Sequence, residues 1–326
     1  MKGTVIKNLK LIKVIDGDTI KVLLDNEQES IRFVCLDTEE SQHGGDKPVT
    51  NAGILASKWA KEYFGANEQG VPTGDVRVAL EFDTDDPVEV CLHKHRDNYG
   101  RLLCYVYKAG EQENSNVRIV REGWSPYFVK YGRSRLYHRQ FLAAEAQAQS
   151  QGLAIWNPAT NAGGNRRDYT TLIPWWHLRD SVVQDYRYLG SQSGVLSVRL
   201  DYEKIVTAAQ EKNEITVFCD LQNGIDLWPG NGALIYAGSK FQKFNLWIPN
   251  RDSAAAQTIL RLIETRYADS GRGYVYVSGK ASLYPSNADG KPQIVLTEVK
   301  QLADLPPGES TVYTQVDSER VSSPRK

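Results

Sequence analysis

The sequence predicts an α+β protein, mainly β with helices, organised as two domains. Three observations carry that expectation. Short segments alternate apolar and polar residues between turn-forming residues, as half-buried strands do. In a few places the apolar spacing lengthens to that of an amphipathic helix. The 326 residues exceed what one core of ~100–200 residues covers, and 41% hydrophobic with 24% charged content is that of a globular chain, not a disordered or collagen-like one.

In chain order, alternation marks strands at 4–15, 19–24 and 30–36, the last two separated by the turn-like Asp25-Asn26-Glu27. Over 51–64 the period changes, and Ile54, Leu55, Trp59 and Tyr63 fall on one face of a helix. Strands are expected again at 76–82, 88–92 and 102–107, the last two joined through Asp97-Asn98-Tyr99-Gly100. Strand, strand, strand, helix, strand, strand is the order of a five-stranded OB-fold barrel. Two further helices follow at 116–122 and 133–151, the second stopped by Gly152 as C-cap, which makes three helices around the barrel.

The stretch 158–171 contains Pro158, Gly163 and Gly164, is small and polar, and has no periodicity, so it reads as a linker after a first domain at 1–157. A second domain, 172–305, opens on an aromatic helical stretch at 174–188. It continues with strands at 195–200, 215–221, 234–237 and 244–248, a helix at 254–267, and paired strands at 273–283 and 293–299 joined through Asp289-Gly290. Its β, helix, β, β ending fits a second OB-like barrel, and a generic α+β interaction domain fits it as well. The tail, 306–326, is polar and rich in Pro and Ser and is expected to be disordered.

Composition narrows the function. The 39 basic residues nearly balance the 40 acidic ones, for a net charge of −1, which excludes non-specific nucleic-acid binding through bulk positive charge. Any phosphate chemistry must be local. Aromatic residues reach 10%, which suits sheet cores and base stacking alike. Cys35, Cys91, Cys104 and Cys219 form no CxxC pair and sit in strand-like stretches, so buried thiols are expected; Cys91 and Cys104 flank one expected hairpin and could face each other. Residues 1–13 lack the apolar run of a secretory signal, and nothing approaches the ~18 apolar residues that span a bilayer. A soluble chain without a membrane partner is expected, cytoplasmic by default and secreted if a leader has been removed.

Three clusters in the first domain hold charge where the pattern expects a turn or a strand end: Asp16-Gly17-Asp18-Thr19, the run from Arg32 to Glu40, and the hairpin from Asp97 to Arg101. Carboxylates of Asp18 and Asp37 on neighbouring strands could hold a hard cation such as Ca²⁺. Arg32 and Arg101 would then remain to clamp phosphate oxygens bidentately. Residues 1–157 resemble the staphylococcal (micrococcal) nuclease family, the thermonucleases, in five ordered blocks: VIDGDTI, RFVCLDTEE, DNYGRLLCYVY, IVREGW and AEAQAQSQGLAIW.

The resemblance implies a role for each matching position. Asp18 and Asp37 match the carboxylates that hold the family's Ca²⁺, and the Thr38 backbone carbonyl a further ligand. Glu40 matches the general base, or the group that orients the attacking water. Arg32 and Arg101 match the arginines on the scissile phosphate, Tyr99 a tyrosine at the nucleotide site, and Tyr131 a second aromatic near it. Asp16 matches an acid close to the metal. The chemistry is coherent: phosphodiester hydrolysis builds charge on the phosphoryl oxygens, where a divalent cation and two guanidinium groups act, while a carboxylate directs water.

Three departures stand out. Glu39 replaces the family's proline, which adds negative charge beside the metal and loosens the backbone that positions Glu40. Asn98 replaces a lysine before Tyr99, and the segment before Asp97 is longer than usual, as if an extra hairpin were inserted near the cleft. Weaker candidates are His93 and His95 as transition-metal ligands on a strand face, Trp175 and Trp176 as domain packing, and Tyr274, Tyr276 and Tyr284 as stacking residues.

The resemblance therefore implies a Ca²⁺-dependent endonuclease with little sequence specificity, acting on DNA and RNA, single-stranded or unwound, and leaving 3′-phosphorylated ends. The C-terminal domain is expected to bind nucleic acid or a protein partner. The alternative is a catalytically silent nucleic-acid or protein-binding scaffold, a use to which nuclease-like OB domains are also put; such scaffolds typically lack the charged constellation that this chain retains.

Overall fold

The structure, a computed structural model, describes residues 2–43, 47–221, 224–239, 241–268, 271–287 and 289–307. Residues 308–326 of the expected tail therefore lie outside the described residues. The chain divides into two compact units, Met1–His177 and Leu178–Lys326.

In the first unit β1 (Val5–Asp16), β2 (Thr19–Leu24), β3 (Glu27–Phe33), β4 (Arg77–Glu81) and β5 (Leu102–Lys108) close into a barrel in the order β1-β2-β3-β5-β4. Only β3 and β5 run parallel, and the connectivity is the OB order predicted from the sequence. The long β1 serves both neighbours, pairing with β4 through Val5 to Lys10 and with β2 through Lys10 to Asp16. The register slips between Ile6 and Leu9, where Asn8 takes the left-handed region at φ 62° that Asn tolerates. Inward residues at alternate positions, among them Leu11, Ile20, Val22, Ile31, Phe33, Leu80 and Val106, fill the barrel.

Helices surround it. The Thr50 side chain caps α1 (Asn51–Tyr63) by accepting from Gly53 N. The buried face of α1 is not the predicted one: Ala52, Gly53, Ala56, Ser57 and Ala60 are buried while Ile54 is exposed. Small residues are needed there because a Cβ on Gly53 would lie 2.1 Å from the Glu40 carbonyl oxygen. The strand expected at 88–92 is instead α2 (Val88–Lys94), so the longer segment before Asp97 holds a helix and not a hairpin. Glu89 in its first turn and Lys94 in its last complement the helix dipole. Helices α3 (Ser115–Arg121) and α4 (His138–Gln151) follow, α4 ending at Gly152 in the left-handed conformation as predicted. From α3 the fully buried Asn116 clamps the parallel seam: its Nδ2 donates to Val34 O at 3.0 Å and Cys104 O at 3.1 Å, and its Oδ1 accepts from Val106 N at 3.0 Å.

Glu81 fastens the chain start to this barrel. The fully buried carboxylate accepts from the backbone N–H groups of Lys2 and Gly3 and from the hydroxyls of Tyr107 and Tyr137, both at 2.7 Å. Burial alone would raise its pKa, but these four donors together lower it. Glu81→Ala leaves the Tyr137 hydroxyl and two N–H groups without their acceptor, while Tyr107 keeps only the Tyr137 hydroxyl at 2.9 Å, and a loss of about 2–4 kcal/mol is expected in urea unfolding at pH 7. Because the folded pKa is depressed, this stabilisation is present above the ordinary glutamate pKa and drains as pH falls through the folded value. The gap between wild type and variant should therefore narrow in acid.

The segment 158–171 continues from the first unit into α5 (Tyr169–Asp185), and the division between units falls inside that helix. Trp176 packs into the first core against Phe128, and Tyr169 lies edge-on to it.

The second unit contains β6 (Leu196–Ser197), α6 (Tyr202–Glu211), β7 (Glu214–Asp220), β8 (Ile225–Leu227), β9 (Ala233–Gly238), β10 (Lys243–Ile248), α7 (Ala254–Leu262), β11 (Tyr274–Tyr284), β12 (Lys291–Val295) and β13 (Leu302–Ala303). Its sheet runs β6-β7-β11-β12-β10-β9-β8, with β13 beside β11. The connectivity repeats that of the first unit. The strands β10 and β12 are parallel, as β3 and β5 are, and α7 falls where α1 does. The two jobs of β1 are divided: β7 pairs with β11 and β8 with β9. Tyr274 and Tyr276, considered above for base stacking, are buried against Phe218, so of the three expected tyrosines only Tyr284 is exposed. All four cysteines are buried, and none forms a disulfide. Among the described residues no helix is long and apolar enough to cross a membrane.

Candidate active site

The β1–β2 turn and the chain leaving β3 bring the predicted acidic residues together. Gly17 lets the turn lie against Thr38, since a Cβ there would be 2.8 Å from Thr38 Cγ2. Beyond β3, Cys35 adopts φ 64°, and its carbonyl accepts from Phe128 N at 3.0 Å. That bend turns Asp37 and Thr38 back toward Asp18. Ser125 Oγ then holds Asp37 N at 2.9 Å.

Asp18 and Asp37 are both buried. Asp18 Oδ2 accepts from the Thr38 N–H at 2.9 Å and from the Thr38 hydroxyl at 3.1 Å. Arg32 forks between the two carboxylates. One of its nitrogens pairs with Asp18 Oδ1, and the other donates to Asp37 Oδ1 at 2.8 Å and to Leu36 O at 3.0 Å. Asp16 lies beside them, accepting from Gly17 N at 2.7 Å and Ser41 Oγ at 2.9 Å. Burial, then the nearby Asp18 and Glu40, raise its pKa to about 6.

Arg101 approaches from the hairpin. Asp97 Oδ1 gathers the N–H groups of Tyr99 and Arg101, each at 2.9 Å, and Gly100 closes the turn at φ 86°. Asp97 Oδ2 then braces Arg101 Nε at 2.7 Å, and Arg101 Nη1 reaches Thr19 Oγ1, next to Asp18, at 3.3 Å. Arg96 ties this hairpin to β3 through a two-point contact with Glu29, both bonds 3.0 Å. Tyr99 is 78% exposed, with the Arg101 guanidinium 5.4 Å from its ring centre, and Tyr131 is 41% exposed. The Tyr131 ring packs edge-on against Phe128. Glu40 is held by its backbone, whose carbonyl accepts from Thr50 N at 3.1 Å, and its side chain is about one-third open. His93 and His95 do not share a strand face: both belong to α2 or its end, and His95 Nε2 contacts Asp86 at 3.0 Å.

Two cations escaped the sequence reading. Lys47 Nζ lies 3.1 Å from Asp37 Oδ2 and 3.8 Å from Glu40. Arg167, from the stretch read as a linker, donates to Asp37 Oδ2 at 2.8 Å, Asp37 O at 3.0 Å and Thr38 O at 2.9 Å. Burial alone would raise the Asp37 carboxyl, but the fields of Arg167, Arg32 and Lys47 outweigh it and hold it well below the usual carboxylate range. The donor set suits a hard cation. Arg32 links the Asp18 and Asp37 carboxylates and Arg167 links Asp37 to the Thr38 carbonyl, so cationic side chains already collect on these oxygens. Among the described residues no three His, Cys, Asp or Glu side chains form a metal cluster, so solvent and substrate oxygens would have to complete the shell.

Glu39 does not add an open charge to the cluster. It is buried, and its two oxygens accept from Asn161 Nδ2 at 3.0 Å and Tyr169 Oη at 2.9 Å.

The family described as Staphylococcal nuclease homologue matches residues 30–158. Endonuclease YncB of Bacillus subtilis is 34% identical over 164 residues, 48% of this chain and 67% of that protein. The SPbeta prophage-derived endonuclease YokF of the same species is 32% identical over 153 residues, 46% of this chain and 44% of its own length. The thermonuclease of Staphylococcus hyicus is 32% identical over 149 residues, 45% of this chain and 75% of that one. A closed OB barrel, its charged cluster and these relatives lead to one conclusion: the chain belongs to the staphylococcal nuclease homologue family, the nuclease class of hydrolases.

Proposed function

We propose that this chain is a Ca²⁺-dependent endonuclease that hydrolyses DNA and RNA with little sequence specificity and leaves 3′-phosphorylated ends. What supports the reading is the convergence of Asp18, Asp37 and the Thr38 carbonyl beside Arg32, with Arg101 brought to Thr19 next to Asp18. When bound at those oxygens, Ca²⁺ supplies positive charge to the phosphoryl oxygens as they gain charge. Arg32 and Arg101 bind the scissile phosphate and stabilise its transition state through their planar forks. Glu40 accepts the proton of the attacking water or orients it. Tyr99 and Tyr131 offer exposed rings to nucleotides, a sequence-tolerant contact that favours single-stranded or unwound substrate. The domain from 172 to 305 acts as an accessory that binds nucleic acid or a protein partner; its exposed Trp228 and Tyr284 suit stacking.

The test is hydrolysis of denatured DNA and of RNA with Ca²⁺ or with a chelator, with the product ends identified. The expected result is cleavage of both, lost on chelation, with phosphate on the 3′ side. Arg101→Ala should retain the fold and lose about 10²-fold in turnover. Chelator-resistant cleavage, or phosphate on the 5′ side, would overturn the mechanism.

A further inference from the structure

The segment 158–169 behaves as a strap across the active site. It touches the barrel at few points, and residues 162–166 are all exposed. Near its start, Asn161 bridges two elements: its Oδ1 accepts from Ala52 N at the beginning of α1 at 2.8 Å, and its Nδ2 donates to Glu39 at 3.0 Å. Asn51 Nδ2 donates to the neighbouring Thr160 O at 2.7 Å. At its far end Tyr169 Oη reaches the other oxygen of Glu39. Between these anchors Asn165 Nδ2 donates to Val49 O at 3.4 Å, and one side chain is largely buried, that of Arg167, only 11% exposed.

The place Arg167 takes is chemically specific. Its guanidinium donates to the Asp37 carboxylate and to the Thr38 carbonyl, which are two of the three oxygen groups read above as cation ligands. It also lies 3.8 Å from Glu40. A cation bound at ~2.3–2.6 Å from those oxygens would meet a guanidinium already bonded to them, and two positive charges at that separation repel. Anchor and plug also come from adjacent residues of one strand exit: Glu39 fastens the strap, and Asp37 and Thr38 receive its arginine.

We propose that Arg167 is a built-in counter-cation of the metal seat, so that a divalent cation must displace Arg167, and with it the middle of the 158–169 strap, before the site becomes competent. The inference rests on the Ca²⁺ reading and adds to it a residue that sets the metal threshold. Below that threshold the strap neutralises Asp37 and covers the site. Above it, Arg167 leaves, and the two anchors on Glu39 keep the segment close enough to return.

Calorimetric titration of the full-length chain with Ca²⁺ tests this on wild type, Arg167→Gln and Asn161→Asp. Arg167→Gln removes the competing charge; Asn161→Asp sets a second carboxylate against Glu39 and loosens the anchor without touching the seat. Both variants should bind Ca²⁺ about tenfold tighter than wild type, within the usual range of coupling between two sites. Asn161→Asp should also hydrolyse denatured DNA faster at limiting Ca²⁺ and equally fast at saturation. Equal Ca²⁺ affinity in all three proteins, with hydrolysis intact, overturns the strap and leaves the nuclease reading standing. No Ca²⁺ binding in any of them, with chelator-resistant hydrolysis, overturns the metal reading and the strap together.

Discussion

Arg32→Ala should lower nuclease turnover by about 10³-fold and also destabilise the first unit by about 3–5 kcal/mol. The double effect follows from where the guanidinium sits. It is mostly buried between Asp18 and Asp37, which are buried themselves, and those two charges raise its own pKa well above the ordinary value despite the burial. Removing it leaves two carboxylates facing each other across a poorly solvated gap. Lys47 and Arg167 still reach Asp37, whereas among the described residues Asp18 pairs with no cation but Arg32. Arg32→Lys separates the effects. It restores a charge and part of the stability, but one ammonium cannot fork to Asp18, Asp37 and Leu36 O as the planar group does, so turnover should remain low. Initial rates on denatured DNA and urea midpoints of the three proteins decide it. An alanine variant within twofold of the wild-type rate would remove Arg32 from the chemistry.

The barrel was legible because most of its strands show one face to the core and alternate accordingly, from Leu11 and Ile20 to Phe33, while β5 is apolar and buried on both faces from Cys104 to Tyr107. The acidic and arginine positions were legible because they sit in short blocks of fixed spacing at strand ends. Where local pattern carries little information the reading failed. Val88 and Val90 alternate like a strand, yet the seven-residue helix α2 holds them, because over so short a run period alone does not separate the two. The buried face of α1 was misread because it is made of alanine, glycine and serine, which a hydrophobic stripe does not register. Helix α6 went unpredicted. Arg167 was invisible for a different reason. It lies in a stretch without periodicity, and its partners Asp37 and Thr38 are about 130 residues earlier in the chain. Nothing local announces a contact of that span. The one trace was Glu39 standing in place of proline, read as a defect near the metal until Asn161 and Tyr169 are seen to use it.

Glu39 and Glu40 make the sharpest comparison, because adjacent carboxylates should respond in opposite ways. Glu40→Gln is expected to lower turnover by about 10³-fold, the range for loss of a general base, and to leave thermal stability nearly unchanged. Its side chain is about one-third open, its cationic neighbours Lys47 and Arg167 are no closer than 3.8 Å, and its position is fixed by backbone contacts with Thr50 and Gly53 that the amide keeps. Glu39→Gln is expected to reverse the pattern. Its carboxylate is buried and accepts from two neutral donors, and an amide there offers one acceptor and presents N–H groups to the other donor. A loss of about 1–2 kcal/mol follows, while hydrolysis at saturating Ca²⁺ should stay within tenfold of wild type. Turnover and melting temperature measured on the same two preparations separate the roles. If Glu39→Gln abolishes hydrolysis at full stability while Glu40→Gln only lowers the melting temperature, the assignment of the water-activating carboxylate moves one residue back along the chain, and the barrel's strand exit must present Glu39, not Glu40, to the substrate.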